Sequence, residues 1–133
     1  ILITGGAGFI GSNFVRYMLL HTEYSIVVVD ALTYAGNPEN LADFIADKRL
    51  SFIQERIEHT EKIREICKHY GVKGIINFAA ETHVDRSIMD PSPFVTSNVM
   101  GTVSLLNIAR ELDLRYVQIS TDEVYGSLGD DGF

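Results

Sequence analysis

The stretch Thr4-Gly5-Gly6-Ala7-Gly8-Phe9-Ile10-Gly11 decides the fold of this chain. It satisfies the pattern G-x-G-x-x-G and also the variant T-G-x-x-G-x-x-G. Glycines are needed where a strand turns tightly into a helix and the backbone must lie close to a pyrophosphate. The N-terminus of the helix then offers unpaired N–H groups and a partial positive charge to the anion. The stretch therefore predicts a phosphate-binding turn between a first strand and a first helix.

The flanking sequence alternates between strand and helix patterns. Apolar runs predict buried parallel strands, which are hydrophobic almost throughout because helices cover both faces of the sheet. These runs are residues 1–4, 26–30, 50–53, 74–78 and 116–120. The predicted helices span residues 9–21 or begin at Asn37-Pro38, at Thr60 and at Ser92-Pro93, the last ending near Leu112. The order predicts an α/β, Rossmann-type doubly wound parallel sheet with strand order 3-2-1-4-5 and helices on both faces.

Side-chain spacing predicts the inward faces of these helices. Thr60 is the predicted N-cap of its helix, and Cys67 is predicted to lie in the core. The apolar positions are Leu41, Phe44 and Ile45 in the second helix, Ile63, Ile66, Cys67 and Tyr70 in the third, and Val95, Val99, Val103 and Leu106 in the fourth. In the fourth helix they wrap widely enough to cover both the sheet and a partner, with packing on the sheet alone as the simpler alternative.

Asp30 closes the second predicted strand, 19 residues after Gly11. A carboxylate at this position accepts hydrogen bonds from the adenosine ribose of a bound dinucleotide. It also repels a 2′-phosphate, and no arginine follows it in Ala31-Leu32-Thr33. The pattern therefore predicts NAD, rather than NADP, as the cofactor.

The segment Ser120-Thr121-Asp122-Glu123 follows the fifth predicted strand, at the carboxyl edge where doubly wound sheets bind ligands. This position would bring a hydroxyl and two carboxylates close to the nicotinamide end of the cofactor. Neighbouring carboxylates shift each other's proton affinities apart, so one can act as an acid and the other as a base. The residues alone leave a second interpretation open, in which Asp122 and Glu123 only cap the following turn.

A second polar segment, residues 77–86, leaves the end of the fourth predicted strand. Small Ala79 and Ala80 would let a dinucleotide lie close to the backbone, while Thr82 and His83 would point polar groups into the cleft. A purely structural, hydrogen-bonded His83 is an equal alternative. The four histidines lie on separate elements without ligand spacing, so no metal site is predicted.

Composition narrows the class of protein. The formal net charge of −7 disfavours nucleic acid as a partner, because binding a phosphodiester backbone depends on clustered lysine and arginine. A lone cysteine indicates a reducing compartment. No apolar run approaches the roughly 20 residues of a membrane helix, and no leader sequence opens the chain. We therefore expect a cytoplasmic protein with no membrane partner.

Five segments together resemble one known family. They are TGGAGFIGS (4–12), DALTYAGNPENL (30–41), FAAETHVDRSI (78–88), SNVMGT (97–102) and ISTDEVYG (119–126). These segments resemble the N-terminal part of the dTDP-glucose 4,6-dehydratases, which are extended short-chain dehydrogenases/reductases. The Asp-Glu pair at 122–123 is the most selective feature, since related epimerases usually lack it.

The resemblance implies NAD-dependent conversion of dTDP-glucose to dTDP-4-keto-6-deoxyglucose, a precursor of deoxysugars such as rhamnose. In that reaction a hydride leaves sugar C4 for NAD, water leaves across C5 and C6, and the hydride returns to C6. By this resemblance Thr121 hydrogen-bonds the C4 oxygen, Asp122 protonates the departing C6 hydroxyl, and Glu123 removes the C5 proton. Thr82 and His83 would bind the substrate. The implied cofactor contacts are Gly5, Gly8, Phe9, Ile10, Gly11, Asp30, Leu32, Thr33, Gly36, Ile57, Ala79, Ala80 and Ser97.

Two features depart from the family's pattern. Relatives use a Tyr-x-x-x-Lys pair as the base for C4 oxidation, and it lies beyond the equivalent of Phe133. None of the six tyrosines here has a lysine four residues later. The second departure is Glu55-Arg56-Ile57, where the family commonly has an acidic residue and then an apolar one to hold adenine. Arg56 removes one expected adenine hydrogen bond but leaves the apolar contact of Ile57.

We expect residues 1–133 to form one incomplete NAD-binding domain, because the chain begins inside a strand pattern and ends in turn-rich sequence. Later strands and a C-terminal substrate domain would be absent, and these residues alone would be inactive. Two alternatives stay open: a dehydratase or epimerase for a UDP- or CDP-sugar, or, for the 133 residues alone, a catalytically silent nucleotide-binding module. The resemblance also implies a homodimer at full length, to which the fourth helix contributes.

Overall fold

The computed structural model of the chain describes residues 1–126 and Gly129. Five strands form one parallel sheet in the order β3-β2-β1-β4-β5, which confirms the predicted doubly wound topology. The strands are β1 Leu2–Thr4, β2 Ile26–Asp30, β3 Leu50–Gln54, β4 Gly74–Asn77 and β5 Arg115–Gln118. Central β1 pairs with β2 on one side and β4 on the other, with Ile3 opposite Val28 and Ile76. Each predicted strand agrees with the structure to within two residues at either end.

Helices follow the strands in the predicted order, and a short helix after β4 that was not predicted is present in addition. They are α1 Phe9–His21, a 3-10 helix Pro38–Phe44, α2 Thr60–His69 and α3 Val84–Met89. A long helix then runs through a first turn Ser92–Phe94, a π-helical stretch Val95–Gly101 and an α-helical part Thr102–Glu111. A 3-10 turn after β5 spans Asp122–Tyr125. Within the described part of the chain, none of these helices is both long enough and apolar enough to cross a membrane.

Alternate residues of the strands build one core on each face of the sheet, because successive strand side chains point to opposite faces. The core under α2 and the long helix contains Leu2, Val27, Val29, Ile57, Ile63, Cys67, Val72, Ile75, Leu105, Ile108 and Ala109. The core under α1 contains Ile3, Val15, Met18, Leu19, Ile26, Val28 and Leu41. Cys67 is 2% exposed, as predicted, and burial raises the pKa of its thiol to about 11.

The predicted start of α2 was wrong by one residue. His59, not Thr60, is the N-cap, and the Thr60 hydroxyl instead donates a hydrogen bond to Ser104 Oγ at 2.9 Å. That bond joins α2 to the long helix and uses the hydroxyl that a cap would need. Asn37, by contrast, caps the 3-10 helix as predicted, its side chain accepting from the N–H of Glu39 at 3.0 Å.

Two predicted inward residues lie at the surface. Ile45 is 86% exposed, because the 3-10 helix has three residues per turn and ends at Phe44, so the face that holds Leu41 does not extend to Ile45. Tyr70 is the C-cap of α2 and is 42% exposed. Both residues lie at a helix end, where a regular helical spacing no longer determines whether a side chain points toward the core.

The long helix packs on the sheet with a different face from the one predicted. Its predicted inward residues, Val95, Val99, Val103 and Leu106, are each about half exposed. The buried residues of this helix are Gly101, Ser104, Leu105, Ile108 and Ala109. The helix is apolar on two faces, and periodicity alone cannot tell which of the two meets the sheet.

Candidate functional site

One cleft of about 1030 Å³ runs along the carboxyl ends of all five strands, where doubly wound sheets bind ligands. The glycine turn after β1 and the segment 121–123 after β5 both open onto it. The predicted site residues that line it are Gly5, Gly8, Phe9, Ile10, Gly11, Asp30, Thr33, Gly36, Ile57, Ala79, Ala80, Thr82, Ser97, Thr121, Asp122 and Glu123. The predicted contacts Leu32 and His83 lie outside this lining.

The glycine turn, residues 5–11, has no room for side chains. Gly5 has a φ of +67°, and a Cβ on it would lie 2.6 Å from the backbone nitrogen of Ala79. A Cβ on Gly11 would overlap the carbonyl oxygen of Gly5. The N–H of Gly8 closes the turn by donating to the same carbonyl at 3.2 Å. The turn therefore forms a narrow backbone cradle at the N-terminus of α1, which is a fitting place for a pyrophosphate.

Asp30 links the predicted ribose position to the glycine turn. Its buried carboxylate accepts the N–H of Ala7 at 2.9 Å through Oδ2 and the N–H of Leu32 at 2.8 Å through Oδ1. A Cβ on Gly36 would lie 2.6 Å from Oδ1, so only glycine fits beside the carboxylate. Each carboxylate oxygen can accept a second hydrogen bond, so Asp30 can hold the turn and a ribose hydroxyl together. The motif did not predict the bond to Ala7.

Leu32 contributes backbone rather than side chain to this loop. It has a φ of 51°, an uncommon value for a residue with a side chain, and its N–H is held by Asp30. The backbone of Leu32 therefore shapes the loop after β2, and its predicted cofactor contact stays a prediction.

A buried amide joins the ends of β1, β4 and β5. Asn77 is 0% exposed, and its Oδ1 accepts from Thr4 Oγ1 at 2.5 Å and from the N–H of Ala79 at 3.1 Å. Its Nδ2 donates to Gln118 Oε1 at 2.9 Å, and the same oxygen accepts from the Tyr116 hydroxyl at 2.5 Å. This network sets the spacing of strand ends whose loops line the cleft. Sequence reasoning missed it, because no local pattern connects side chains on separate strands.

The loop after β4 is held by the long helix. Asn98, in the π-helical stretch, accepts the N–H of Glu81 at 2.8 Å and donates to the Glu81 carbonyl at 2.9 Å. The oxygen and the nitrogen of the Asn98 side-chain amide therefore both bond to the backbone of Glu81. Asn98 also lines the cleft, next to the predicted contact Ser97, and was not itself predicted.

Tyr34 bridges the loop after β2 to the segment 82–86. Its hydroxyl accepts the N–H of Thr82 at 3.4 Å, and its ring stands edge-on to His83 with 6.0 Å between centroids. The guanidinium of Arg86 covers the ring face. His83 is the N-cap residue of α3, without a side-chain cap hydrogen bond, and lies against Tyr34, outside the cleft lining.

The Thr-Asp-Glu segment begins the 3-10 turn at Asp122–Tyr125. Thr121 is its N-cap, since its Oγ1 accepts the N–H of Glu123 at 3.3 Å and donates to Asp122 Oδ1 at 3.1 Å. The threonine, and not the acidic pair, therefore caps the turn. All three residues are exposed and line the cleft. A hydroxyl and two carboxylates in one wall can hold a carbonyl oxygen and transfer protons.

Charged side chains gather where β3 ends, at the far end of the cleft. Arg56 Nε donates to Glu58 Oε1, while Glu55 Oε1 accepts the N–H of Arg56 at 2.7 Å and lies 2.7 Å from His59 Nδ1. The backbone bond from Arg56, followed by the bond from His59, lowers the pKa of Glu55 below its ordinary value. Ile57 lines the cleft but is largely turned inward, at 4% exposure.

Comparison with known proteins points to one family. The family model described as GDP-mannose 4,6 dehydratase matches residues 2–133. The chain is 50% identical to the low-salt glycan biosynthesis protein Agl12 of Haloferax volcanii, over 100% of this chain and 43% of that protein. It is 46% identical to the dTDP-glucose 4,6-dehydratase of Mycolicibacterium smegmatis, over 96% of this chain and 38% of the relative.

A solved structure agrees with these matches. DesIV, the dTDP-glucose 4,6-dehydratase of Streptomyces venezuelae crystallised with NAD bound, matches with a TM-score of 0.90 and 47% identity, over 97% of this chain and 41% of DesIV. The chain thus spans about two fifths of the length of these relatives. Because the family model matches almost every residue and the relatives share close to half of them, the chain belongs to the GDP-mannose 4,6 dehydratase family.

Proposed function

We propose that the full-length protein is an NAD-dependent nucleotide-sugar dehydratase that converts dTDP-glucose to dTDP-4-keto-6-deoxyglucose, a precursor of deoxysugars such as rhamnose. One observation carries this proposal: the glycine turn and the Thr121-Asp122-Glu123 segment line the same cleft. The names of the M. smegmatis protein and of DesIV support dTDP-glucose as the substrate.

The cleft fits NAD on its own geometry. The glycine turn forms a cradle that any Cβ on Gly5 or Gly11 would fill, and Asp30 keeps acceptor capacity for a ribose. Ala79 and Ser97 line the path between that end and the end of β5. Bound NAD would supply the hydride acceptor for oxidation of the sugar and the donor for its later reduction.

The residues after β5 would carry the loss of water. Thr121 would hydrogen-bond the C4 oxygen, and a ketone at C4 makes the C5 proton acidic. Glu123 would take that proton as general base. Asp122 would give a proton to the C6 hydroxyl, which leaves as water when the C5–C6 double bond forms. The support for these three roles is the position of the residues, since all three lie exposed in one wall of the cleft.

The test uses the full-length protein with NAD and dTDP-glucose, followed by mass spectrometry of the nucleotide sugar. We expect a product that has lost one water, and a fall in kcat of about 10²–10⁴ for Asp122→Asn and for Glu123→Gln. Asp43→Asn is the control, because Asp43 is an exposed carboxylate paired with Arg16. Turnover of UDP- or CDP-glucose in place of dTDP-glucose would move the assignment to the alternative substrates, a UDP- or CDP-sugar dehydratase or epimerase.

For residues 1–133 alone we propose NAD binding without turnover, that is, an incomplete NAD-binding domain. The support is the lack of a Tyr-x-x-x-Lys pair in the sequence. Titration of this chain with NAD and then with substrate tests it, since turnover by these residues would contradict a silent module.

We further propose that the full-length protein is a cytoplasmic homodimer. The support for a dimer is the half-exposed apolar face of the long helix at Val95, Val99, Val103 and Leu106. Sedimentation of a Val99→Glu variant should show monomers, whereas Glu65→Gln on α2 should leave the dimer intact. The lone, buried Cys67 supports a reducing compartment, which cell fractionation would check.

A further inference from the structure

The fold defines the end of the cleft toward which the base of a bound dinucleotide extends. With the pyrophosphate at the turn after β1 and the ribose at Asp30 after β2, the base extends toward the end of β3. The residues of that end that line the cleft are Glu55, Arg56, Ile57 and Glu58. This step rests on the proposed binding of NAD.

The carboxylates of Glu55 and Glu58 at this end of the cleft already accept hydrogen bonds. Glu58 accepts from Arg56 Nε and its side chain is only 14% exposed. Glu55 accepts the N–H of Arg56 and lies against His59. Within residues 1–126, Glu58 is the only hydrogen-bond partner of the Arg56 guanidinium, so its two terminal amino groups keep their N–H donors.

We propose that Arg56 determines base specificity by donating hydrogen bonds to the edge of the base, with Glu58 as its positioning residue. Adenine offers the acceptor N1 beside a 6-amino donor, whereas hypoxanthine offers a 6-oxo acceptor. A guanidinium can bond either base. Hypoxanthine also has an N1–H donor, so the two bases are distinguished at position 6. A carboxylate at residue 56 that meets the base there would accept from the 6-amino group of adenine and would face the 6-oxo oxygen of hypoxanthine without a proton between them. This chain therefore tolerates a hypoxanthine dinucleotide that an acidic residue would reject.

The experiment measures dissociation constants of the NAD-free, full-length protein by calorimetry. The probes are NAD and nicotinamide hypoxanthine dinucleotide, which differ only at the base. For the unmodified protein we expect the two constants to agree within about threefold. In Arg56→Asp the preference for NAD over the hypoxanthine dinucleotide should rise by about tenfold or more, since an unpaired buried acceptor costs that much.

Arg56→Met keeps the aliphatic stem and removes the donors. We expect it to weaken binding of both dinucleotides to a similar extent, because adenine N1 and the 6-oxo group of hypoxanthine each lose a donor. Arg110→Met, at an exposed arginine of the long helix, is the matched control and should change neither constant. Glu58→Gln should act in the same direction as Arg56→Met with a smaller effect.

Three results would overturn the proposal. They are a tenfold preference for NAD in the unmodified protein, a preference for NAD that does not rise in Arg56→Asp, and unchanged constants in Arg56→Met. Equal weakening of both dinucleotides in Arg56→Asp would indicate stacking of Arg56 on the ring face instead of donation to its edge. A protein that binds neither dinucleotide would contradict the proposed function itself. That outcome differs from a protein that binds both dinucleotides without depending on Arg56, which contradicts only the role of Arg56.

Discussion

The guanidinium carbon of Arg86 lies 4.1 Å from the centroid of the Tyr34 ring. Tyr34 belongs to the loop after β2, and Arg86 belongs to α3, so this contact joins the two sides of the cleft. The hydroxyl of Tyr34 strengthens the link by accepting the N–H of Thr82. The loop proposed to hold the ribose is thereby packed against the segment proposed to meet the substrate.

Removal of this link should weaken substrate binding. In Tyr34→Leu the cation–π contact is lost, which at an exposed site is worth about 0.5–1 kcal/mol and corresponds to a two- to fivefold rise in KM. Tyr34→Phe keeps the ring under Arg86 and loses only the long bond to Thr82, so its KM should rise less. Steady-state kinetics of the full-length protein would measure both, and equal effects of the two variants would contradict a role for the ring face.

Gly11 should not tolerate a side chain. A Cβ there would overlap the Gly5 carbonyl, so Gly11→Ala must displace the turn, at a cost of about 1–3 kcal/mol in the free energy of unfolding and with weaker NAD binding. Gly74→Ala is the matched control, because its Cβ would meet Arg115 at an ordinary 3.5 Å. Urea unfolding and NAD titration provide the two readouts. A Gly11→Ala protein that binds NAD normally would refute the cradle.

The core prediction compares two isoleucines. Ile108 is 0% exposed on the long helix, so Ile108→Ala should lower the free energy of unfolding by about 2–5 kcal/mol through lost burial and a cavity. Ile45 is 86% exposed, and Ile45→Ala should change that energy by no more than about 0.5 kcal/mol. Denaturant unfolding of both variants would measure these two changes in the free energy of unfolding. A large loss at Ile45 would favour the inward position that the sequence predicted.

Glu55 should make stability depend on pH in the acid range. Its pKa is lowered from 4.5, first by the backbone N–H of Arg56 and then by the bond with His59. A carboxyl whose pKa is lower in the folded state stabilises the fold above its ordinary value of 4.5, and this stabilisation is lost as the pH falls through the folded-state pKa. Glu55→Gln should therefore show a weaker loss of stability below that pH.

His59→Asn separates the two causes. Because the backbone bond is the larger one, this variant should keep most of the acid-dependent loss of stability. Free energies of unfolding measured by urea between pH 3 and 6 would compare the three proteins. A His59→Asn protein as insensitive to pH as Glu55→Gln would show that the imidazole, not the backbone, is the main cause.

The sheet and its order were predictable because buried parallel strands are apolar on both faces, as Ile26 to Asp30 illustrates. The glycine turn was equally predictable, since the spacing of its glycines reflects a backbone conformation that few other residues permit. By contrast α3 was missed, because none of its six residues is buried and it carries no apolar period.

The contacts that shape the cleft could not be predicted. Asp30 with Ala7, Asn77 with Gln118 and Asn98 with Glu81 are bonds between side chains or backbone groups 17 to 41 residues apart. Such pairs leave no periodic signal in one sequence. The contact between His83 and Tyr34 shows the same limit, because no local pattern connects a residue that follows β2 with one that follows β4.

Cys67 gives this protein a practical advantage for spectroscopy. Its thiol is shielded by both helices above the sheet and stays protonated near neutral pH, so maleimide dyes should leave it untouched. Within residues 1–133, a cysteine introduced at the rim of the cleft would then be the one labelled position, with no need to replace Cys67 first.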